Sequence, residues 1–288
     1  MASSSLTPVM KEDGECRNWA DLPSELISLI LRRLDSTDIL ENAQKVCTTW
    51  RRVCKDPAIW RKIFMRDPLV DIISLFKGYD LKAMCCHAVD RSEGGLVEID
   101  ILYFGTDSLL NYIADRSSNL RSLRLAMCSS ITTDGLTEAV VKLPLLEELE
   151  VSYCSFSAES LKVVGQSLPH LKTLKLDRRP GGPPWFANVS DIDALAIAET
   201  MPGLRFLQLL GNLLSDVGLN AILDSCPHLE HLDLRQCFKL NFDGDLEKKC
   251  SDRIKVFRRP RDSADDFPFY ATIFDHDGYY VVNDPYER

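Results

Sequence analysis

The 288-residue chain holds ten cysteines but no C-x-x-C pair. Their number would suit a disulfide scaffold only if spacing were ignored, and several fall at one repeated apolar position. That favours free, buried thiols behaving as small apolar groups, as in a reducing compartment. No apolar run approaches the ~18 residues of a membrane helix. The opening MASSSLTPVMKEDGEC has neither the basic start nor the apolar stretch of a secretory signal. A nuclear and/or cytoplasmic location is therefore expected. Positive charge is scarce as well: 34 Lys and Arg against 43 Asp and Glu leave a net charge of −9, which disfavours nucleic acid as a partner.

Catalytic signatures are also missing. The chain carries no glycine-rich phosphate cradle and no nucleophile elbow. Cys226, His228 and His231 lie close together in CPHLEH but lack a fourth zinc ligand. Asp275 and Asp277 lack the remaining oxygen ligands of a calcium loop. No catalytic residue, metal or cofactor is expected. With 45% hydrophobic and 27% charged residues, the chain has an ordinary globular composition and room for one or two domains.

What is present is repetition. LVEIDILYF begins at Leu96, LRSLRLAMC at Leu120, LEELEVSYC at Leu146, LKTLKLDRR at Leu171, LRFLQLLGN at Leu204 and LEHLDLRQC at Leu229. The starts lie 24, 26, 25, 33 and 25 residues apart, and the long interval contains the loop DRRPGGPPWF. Alternation around Leu149 and Val151 predicts a strand with one buried face. Thr106, Thr132, Ser157, Ser190 and Ser215 are placed to cap the helix that follows each strand, and Pro144, Pro169, Pro202 and Pro227 to end most of them. A strand and a helix in about 25 residues cannot bury their own apolar face, so the units must stack.

These copies resemble the cysteine-containing leucine-rich repeat family over roughly residues 79–257, although LKTLKLDRR and LRFLQLLGN lack the final cysteine; IKVFRR at Ile254 is a candidate closing strand. The resemblance implies an α/β solenoid with parallel strands on the concave face and helices on the convex one. On that face the outward columns are Glu98, Asp100, Leu102; Ser122, Arg124, Ala126; Glu148, Glu150, Ser152; Thr173, Lys175, Asp177; Phe206, Gln208, Leu210; and His231, Asp233, Arg235. A solvated charged face is the plain reading of any one of them. Phe206 and Leu210 would leave an apolar spot among charges, the pattern of a binding patch. Asp100, Arg124, Glu148, Glu150, Lys175, Phe206, Gln208, His231, Asp233 and Arg235 are the substrate-binding candidates, with Arg124, Lys175 and Arg235 the groups that could meet a phosphate. Trp185, beside Phe186 in the inserted loop, joins them, either as a contact or as packing on the solenoid edge.

Residues 19–64 follow a different period. Pro23 opens a helix with Leu22, Leu26, Leu29, Ile30 and Leu34 at spacings of three and four. Ser36 can cap a second short helix, and Asp56 with Pro57 starts another carrying Trp60. So small a helical core suggests that a partner covers one face. LPSELISLILRRL followed by VCTTWRRVCKDPAIW is similar to the F-box, with its Leu-Pro entry, Val-Cys-x-x-Trp-Arg centre and Asp-Pro-x-x-Trp exit; NWADLP resembles the plant branch.

The combined resemblance implies a small helical F-box before a short leucine-rich repeat solenoid, serving as a substrate receptor of a Skp–cullin–F-box ubiquitin ligase. Leu22, Pro23, Leu26, Ile30, Leu34, Ile39, Val46, Trp50 and Trp60 are the adaptor-binding candidates. For Leu26, Ile30 and Val46 a core role is equally open; the entry pair Leu22 and Pro23 favours docking.

The expected organisation is a disordered stretch 1–16, the F-box 17–66, the solenoid 67–260 with an insertion at 178–188, and a tail 261–288 that reads as a hairpin, either capping the stack or mobile. The expected partners are a Skp adaptor, through it a cullin, and a protein substrate, with no nucleic acid and no membrane. A Skp-binding scaffold outside a cullin ligase and a small-molecule receptor on the repeat face are the rival readings.

Overall fold

The computed structural model describes residues 19–65, 79–154, 157–177, 190–241, 244–267, 272–274 and 280–282. The expectations for residues 1–16 and for the insertion with Trp185 and Phe186 lie outside the described residues, as do Asp275 and Asp277.

The chain enters a set of short helices: α1 (Ser24–Leu31), α2 (Ser36–Glu41) and α3 (Thr48–Val53). Helix α1 is apolar over more than half its circumference, with Ser24, Glu25 and Ser28 on the remainder, so periodicity alone leaves its packing face undecided. The face that packs carries Ile27 and Leu31, both fully buried, and the stripe read from the sequence is turned partly outward. Asp35, rather than Ser36, caps α2, accepting from Thr37 N at 2.8 Å. Ser36 Oγ instead accepts from Phe64 N at 3.0 Å. Trp60 is fully buried and its indole donates to Cys54 O at 2.8 Å, satisfying the one polar atom that burial would leave stranded.

Phe64 belongs to β1 (Lys62–Met65), which pairs in parallel with β2 (Glu98–Leu102). The helical module thus supplies the first strand of the repeat sheet. Helix α4 (Leu81–Arg91) closes the junction. Its Arg91 guanidinium lies over the Trp60 ring at 5.5 Å and donates to Gln44 Oε1 at 3.2 Å.

From β2 onward strand and helix alternate: α5 (Asp107–Arg116), β3 (Ser122–Ala126), α6 (Thr133–Val141), β4 (Glu148–Ser152), α7 (Ala158–Ser167), β5 (Thr173–Asp177), α8 (Ile192–Thr200), β6 (Phe206–Gln208), α9 (Asp216–Ser225), β7 (His231–Asp233), α10 (Asp245–Arg253) and β8 (Val256–Arg258). All eight strands form one parallel sheet in chain order. The register places Ile99, Leu123, Leu149, Leu174, Leu207 and Leu232 in one buried row. Each such side chain contributes about 1.5–3 kcal/mol through burial, and none can do so without the neighbouring repeat.

The cysteine position of the repeat caps the row. Cys128 Sγ donates to Ala126 O at 3.3 Å and Cys237 Sγ to Leu209 O at 2.8 Å. Asn212 replaces it in one copy, donating to Asp193 Oδ2 at 3.2 Å and accepting from Leu214 N at 2.9 Å. Burial pushes the thiols of Cys54, Cys226 and Cys250 up to about 11, so they stay neutral and unreactive. Just before this position the backbone turns left-handed in copy after copy, at Tyr103, Met127, Tyr153, Gly211 and Gln236, with φ of 71°, 54°, 56°, 66° and 62°. Four of these are not glycine, an arrangement that persists only where surrounding structure enforces it.

Thr106, Thr132, Ser157 and Ser215 cap their helices as expected. Ser190 does not: the N-cap position of α8 is Asp191, whose carboxylate accepts from Ser215 N and Ser215 Oγ, both at 2.7 Å, rather than from its own helix. Asp107 does the same for Thr132, linking one repeat to the cap of the next. After β8 the described residues include a short antiparallel pair, β9 (Thr272–Phe274) with β10 (Tyr280–Val282).

Candidate functional site

Two surfaces emerge. On the helical module Trp19, Leu26, Leu29 and Val46 expose 63%, 47%, 58% and 50% of their surface, and Pro23 is exposed beside them. Leu22, Ile30 and Leu34 are half-buried, packed against the core and still open on one side. Ile39, Trp50 and Trp60 are buried core residues and offer no docking surface. Trp50 is turned inward by its indole, which donates to Trp19 O at 2.9 Å. The sequence list missed Leu29 and Trp19. Leu29, three residues after Leu26, carried the signal, but its outward direction depends on which side of α1 packs.

The concave face departs further from expectation. The first outward position of most strands is half-buried, as at Glu98, Glu148, Thr173, Phe206 and His231. Most later positions are not solvated: Asp100, Glu150, Gln208, Asp233 and Arg235 are buried, together with Leu102, Ala126, Ser152 and Asp177, while Arg124 and Lys175 stay half-buried. Strands about 4.8 Å apart let each long side chain lie over its neighbour. Leu210 is fully buried as well, because the chain has left β6 and turned inward before Gly211. The apolar spot is therefore Phe206 alone, stacked on His231 at 5.6 Å with Lys175 Nζ 5.7 Å from its centroid.

The charges form a ladder. Arg124 makes a fork onto Glu148, Nε to Oε1 and Nη2 to Oε2, both 3.1 Å, and reaches Glu98 at 3.3 Å and Asp100 at 3.7 Å. Lys175 pairs with Glu150 at 3.3 Å and Glu148 at 3.8 Å, and Lys62 with Glu98 at 2.6 Å. Burial opposes ionisation of Glu148, yet the Arg124 hydrogen bonds and charge outweigh it and hold its carboxyl below the usual glutamate value. At the far end Arg235 grips Asp233 through Nε at 3.0 Å and Nη2 at 2.7 Å, and its Nη1 donates to Ser263 O at 3.0 Å and to Asp266. Arg124, Lys175 and Arg235 are thus engaged by carboxylates of the same chain and separated into two groups, which corrects the reading of them as phosphate contacts. Cys226, fully buried, donates to Met201 O at 3.5 Å, while His231 lies on the concave face, so those two do not converge.

A second apolar cluster was not foreseen. Leu102 and Ala126, both buried, pack with Tyr103, Met127, Tyr153 and Phe267. Three of these occupy the left-handed position that follows each strand. The large residues recurring there were the available signal, but nothing local shows that Phe267 returns to meet them.

A helical docking module fused to a short parallel-stranded repeat solenoid defines a binding protein whose two faces are held in one sheet. An F-box-like family model matches residues 19–66. The F-box protein SKIP19 of Arabidopsis thaliana is 63% identical over 92% of this chain and 85% of its own length. The putative F-box/LRR-repeat protein 22 of the same plant is 55% identical over 96% of this chain and 87% of its own length. The chain belongs to the F-box/LRR-repeat family. Among solved structures, the crystal structure of the yeast Rad7 and Elc1 complex is similar at 18% identity, with a TM-score of 0.47 over 60% of this chain and 44% of that one.

Proposed function

We propose that the chain is the substrate-recognition subunit of a Skp–cullin–F-box ubiquitin ligase, working in the nucleus or cytoplasm. The F-box would dock on a Skp adaptor and through it a cullin, while the concave side of the solenoid holds a protein substrate for ubiquitin-dependent degradation. The observation that carries this reading is the exposure of four large apolar side chains, Trp19, Leu26, Leu29 and Val46, on one small module whose remaining large apolar residues are buried or half-buried. Large exposed apolar side chains in one small module mark a surface that a partner covers. The pairing of β1 with β2 supports the division of labour, because it fixes the docking face relative to the solenoid. No chemistry is asked of this chain: it raises the effective concentration of a substrate lysine near the ubiquitin carrier.

Co-purification of the native chain with a Skp adaptor and a cullin, beside a Leu26→Asp, Leu29→Asp variant shown to be folded, tests the proposal. Capture of both partners by the native chain and loss in the variant is the expected result. A folded native chain that captures no Skp adaptor would refute it; capture of the adaptor without the cullin would favour a scaffold outside the ligase.

A further inference from the structure

The concave face is already occupied at one place, by the chain itself. After β8 the backbone turns at Pro260, whose carbonyl accepts from Gln236 N at 2.8 Å, and a compact turn brings Ala264 O to Phe267 N at 2.9 Å. Asp266 then meets Arg235 and, at 3.0 Å, Arg258. The next residue, Phe267, sets its ring edge-on against Tyr153 with centroids 6.2 Å apart at 72°, in the cluster with Leu102, Met127 and Tyr103. Two consecutive residues therefore join the last two strands of the parallel sheet to the fourth, across β5 and β6.

The receiving side is held mainly by the solenoid, with the tail adding the Ser263 and Pro260 carbonyls to Arg235 and Gln236. Arg235 is fixed in a fork on Asp233 and keeps Nη1 directed away from that carboxylate, and Tyr103, Met127 and Tyr153 are held by the repeat backbone in its left-handed turn. Gln236, at the same left-handed position after β7, has a buried side-chain nitrogen with no acceptor among the described residues. A buried donor without a partner is the kind of group a bound carbonyl or carboxylate satisfies. The strap itself is held by weaker means. Asp266 is about half exposed, and ion pairs to so solvated a carboxylate contribute little, while Phe267 is only partly buried.

We propose that the patch formed by Tyr103, Met127, Tyr153, Arg235 and Arg258 accepts a turn-forming substrate segment in which an acidic residue is followed directly by an aromatic one, and that Asp266 and Phe267 occupy it in cis. This rests on the reading of the solenoid as the substrate-binding part. A tethered segment competes at high effective concentration, so a weakly held strap still raises the affinity that an outside segment needs. The site then favours substrates offering both the carboxylate and the ring, and weak single-feature ligands are turned away.

A fluorescent peptide DSADDFPF, copying residues 262–269, provides the test, with a scrambled peptide as control. Anisotropy titrations would compare the full native chain, an Asp266→Ala, Phe267→Ala variant, the single Phe267→Ala variant, and the double variant carrying Tyr153→Ala. The double variant should bind the peptide at least tenfold more tightly than the native chain, the single variant should fall between, and Tyr153→Ala should remove the gain. Equal binding to native and double variant, no binding to either, or a gain that survives Tyr153→Ala would overturn the proposal. So would loss of the folded circular-dichroism spectrum in both strap variants, because the strap would then be part of the core rather than an exchangeable ligand. Skp capture measured on the same samples separates this from the proposed function: capture without peptide binding refutes the site alone, and peptide binding without capture refutes the ligase reading alone.

Discussion

Asp177 ends β5 almost fully buried, accepting from Ser152 Oγ at 2.7 Å and from Gln208 Nε2 at 2.8 and 3.0 Å. Burial is the main cause that pushes its pKa from 3.8 up to about 7; the two hydrogen bonds act against the rise, and Glu150 and Asp233 add to it. An acid whose folded pKa lies above its unfolded one holds more protons when folded. Its stabilising contribution is complete below about pH 4 and is lost as the pH climbs to about 7. At about 1.4 kcal/mol per pH unit the interval converts to roughly 4 kcal/mol, an upper bound for the penalty at pH 8.

Asp177→Asn removes the charge and keeps an oxygen for Ser152 and Gln208. Urea unfolding followed by tryptophan fluorescence should find the variant about 2–4 kcal/mol more stable than the native chain at pH 8 and nearly equal to it at about pH 3.5, below the unfolded pKa. Subtracting the two curves cancels the other titrating groups. A variant that is destabilised equally at both pH values, or a native curve parallel to the variant's, would refute the reasoning.

Leu29→Ala, at a side chain 58% exposed, should leave unfolding within about 0.5 kcal/mol of native; removing three carbons from an interface should weaken Skp adaptor binding by about 2 kcal/mol, some thirtyfold, by calorimetric titration. Trp60→Ala should do the reverse of this at the level of the fold, costing about 3–5 kcal/mol of stability, read by thermal unfolding. A Cβ on Gly135 would stand 2.1 Å from Asp107 Oδ1 and displace it from the Thr132 cap. Gly135→Ala should therefore destabilise by about 1–2 kcal/mol, and adding Asp107→Gly, which also removes the Asp107 Cβ that the new methyl would meet, should relieve the clash, so a double-mutant cycle must show a favourable coupling.

The repeat register, the helical module and most of the helix caps were legible because each depends on residues within one turn or one strand of itself. Leu149 and Val151 are buried wherever the strand lies in the stack, and Thr132 can cap only the helix that begins beside it. Side-chain direction was less legible. Ile27 and Leu31 pack while Leu26 and Leu29 face outward, a choice made by the neighbouring elements, α3 among them, in a helix whose apolar arc is wider than one packing face.

The sequence by itself determined that this is a stack of strand-and-helix units behind an F-box, because a stack is the way such units bury their leucines. Only the tertiary structure decided what the concave face presents. Asp100, Glu150 and Asp233 alternate outward, yet they are buried by residues one repeat away or by the chain returning from beyond β8. Alternation fixes the side of the sheet on which a residue lies; whether water reaches it depends on what distant segments place there.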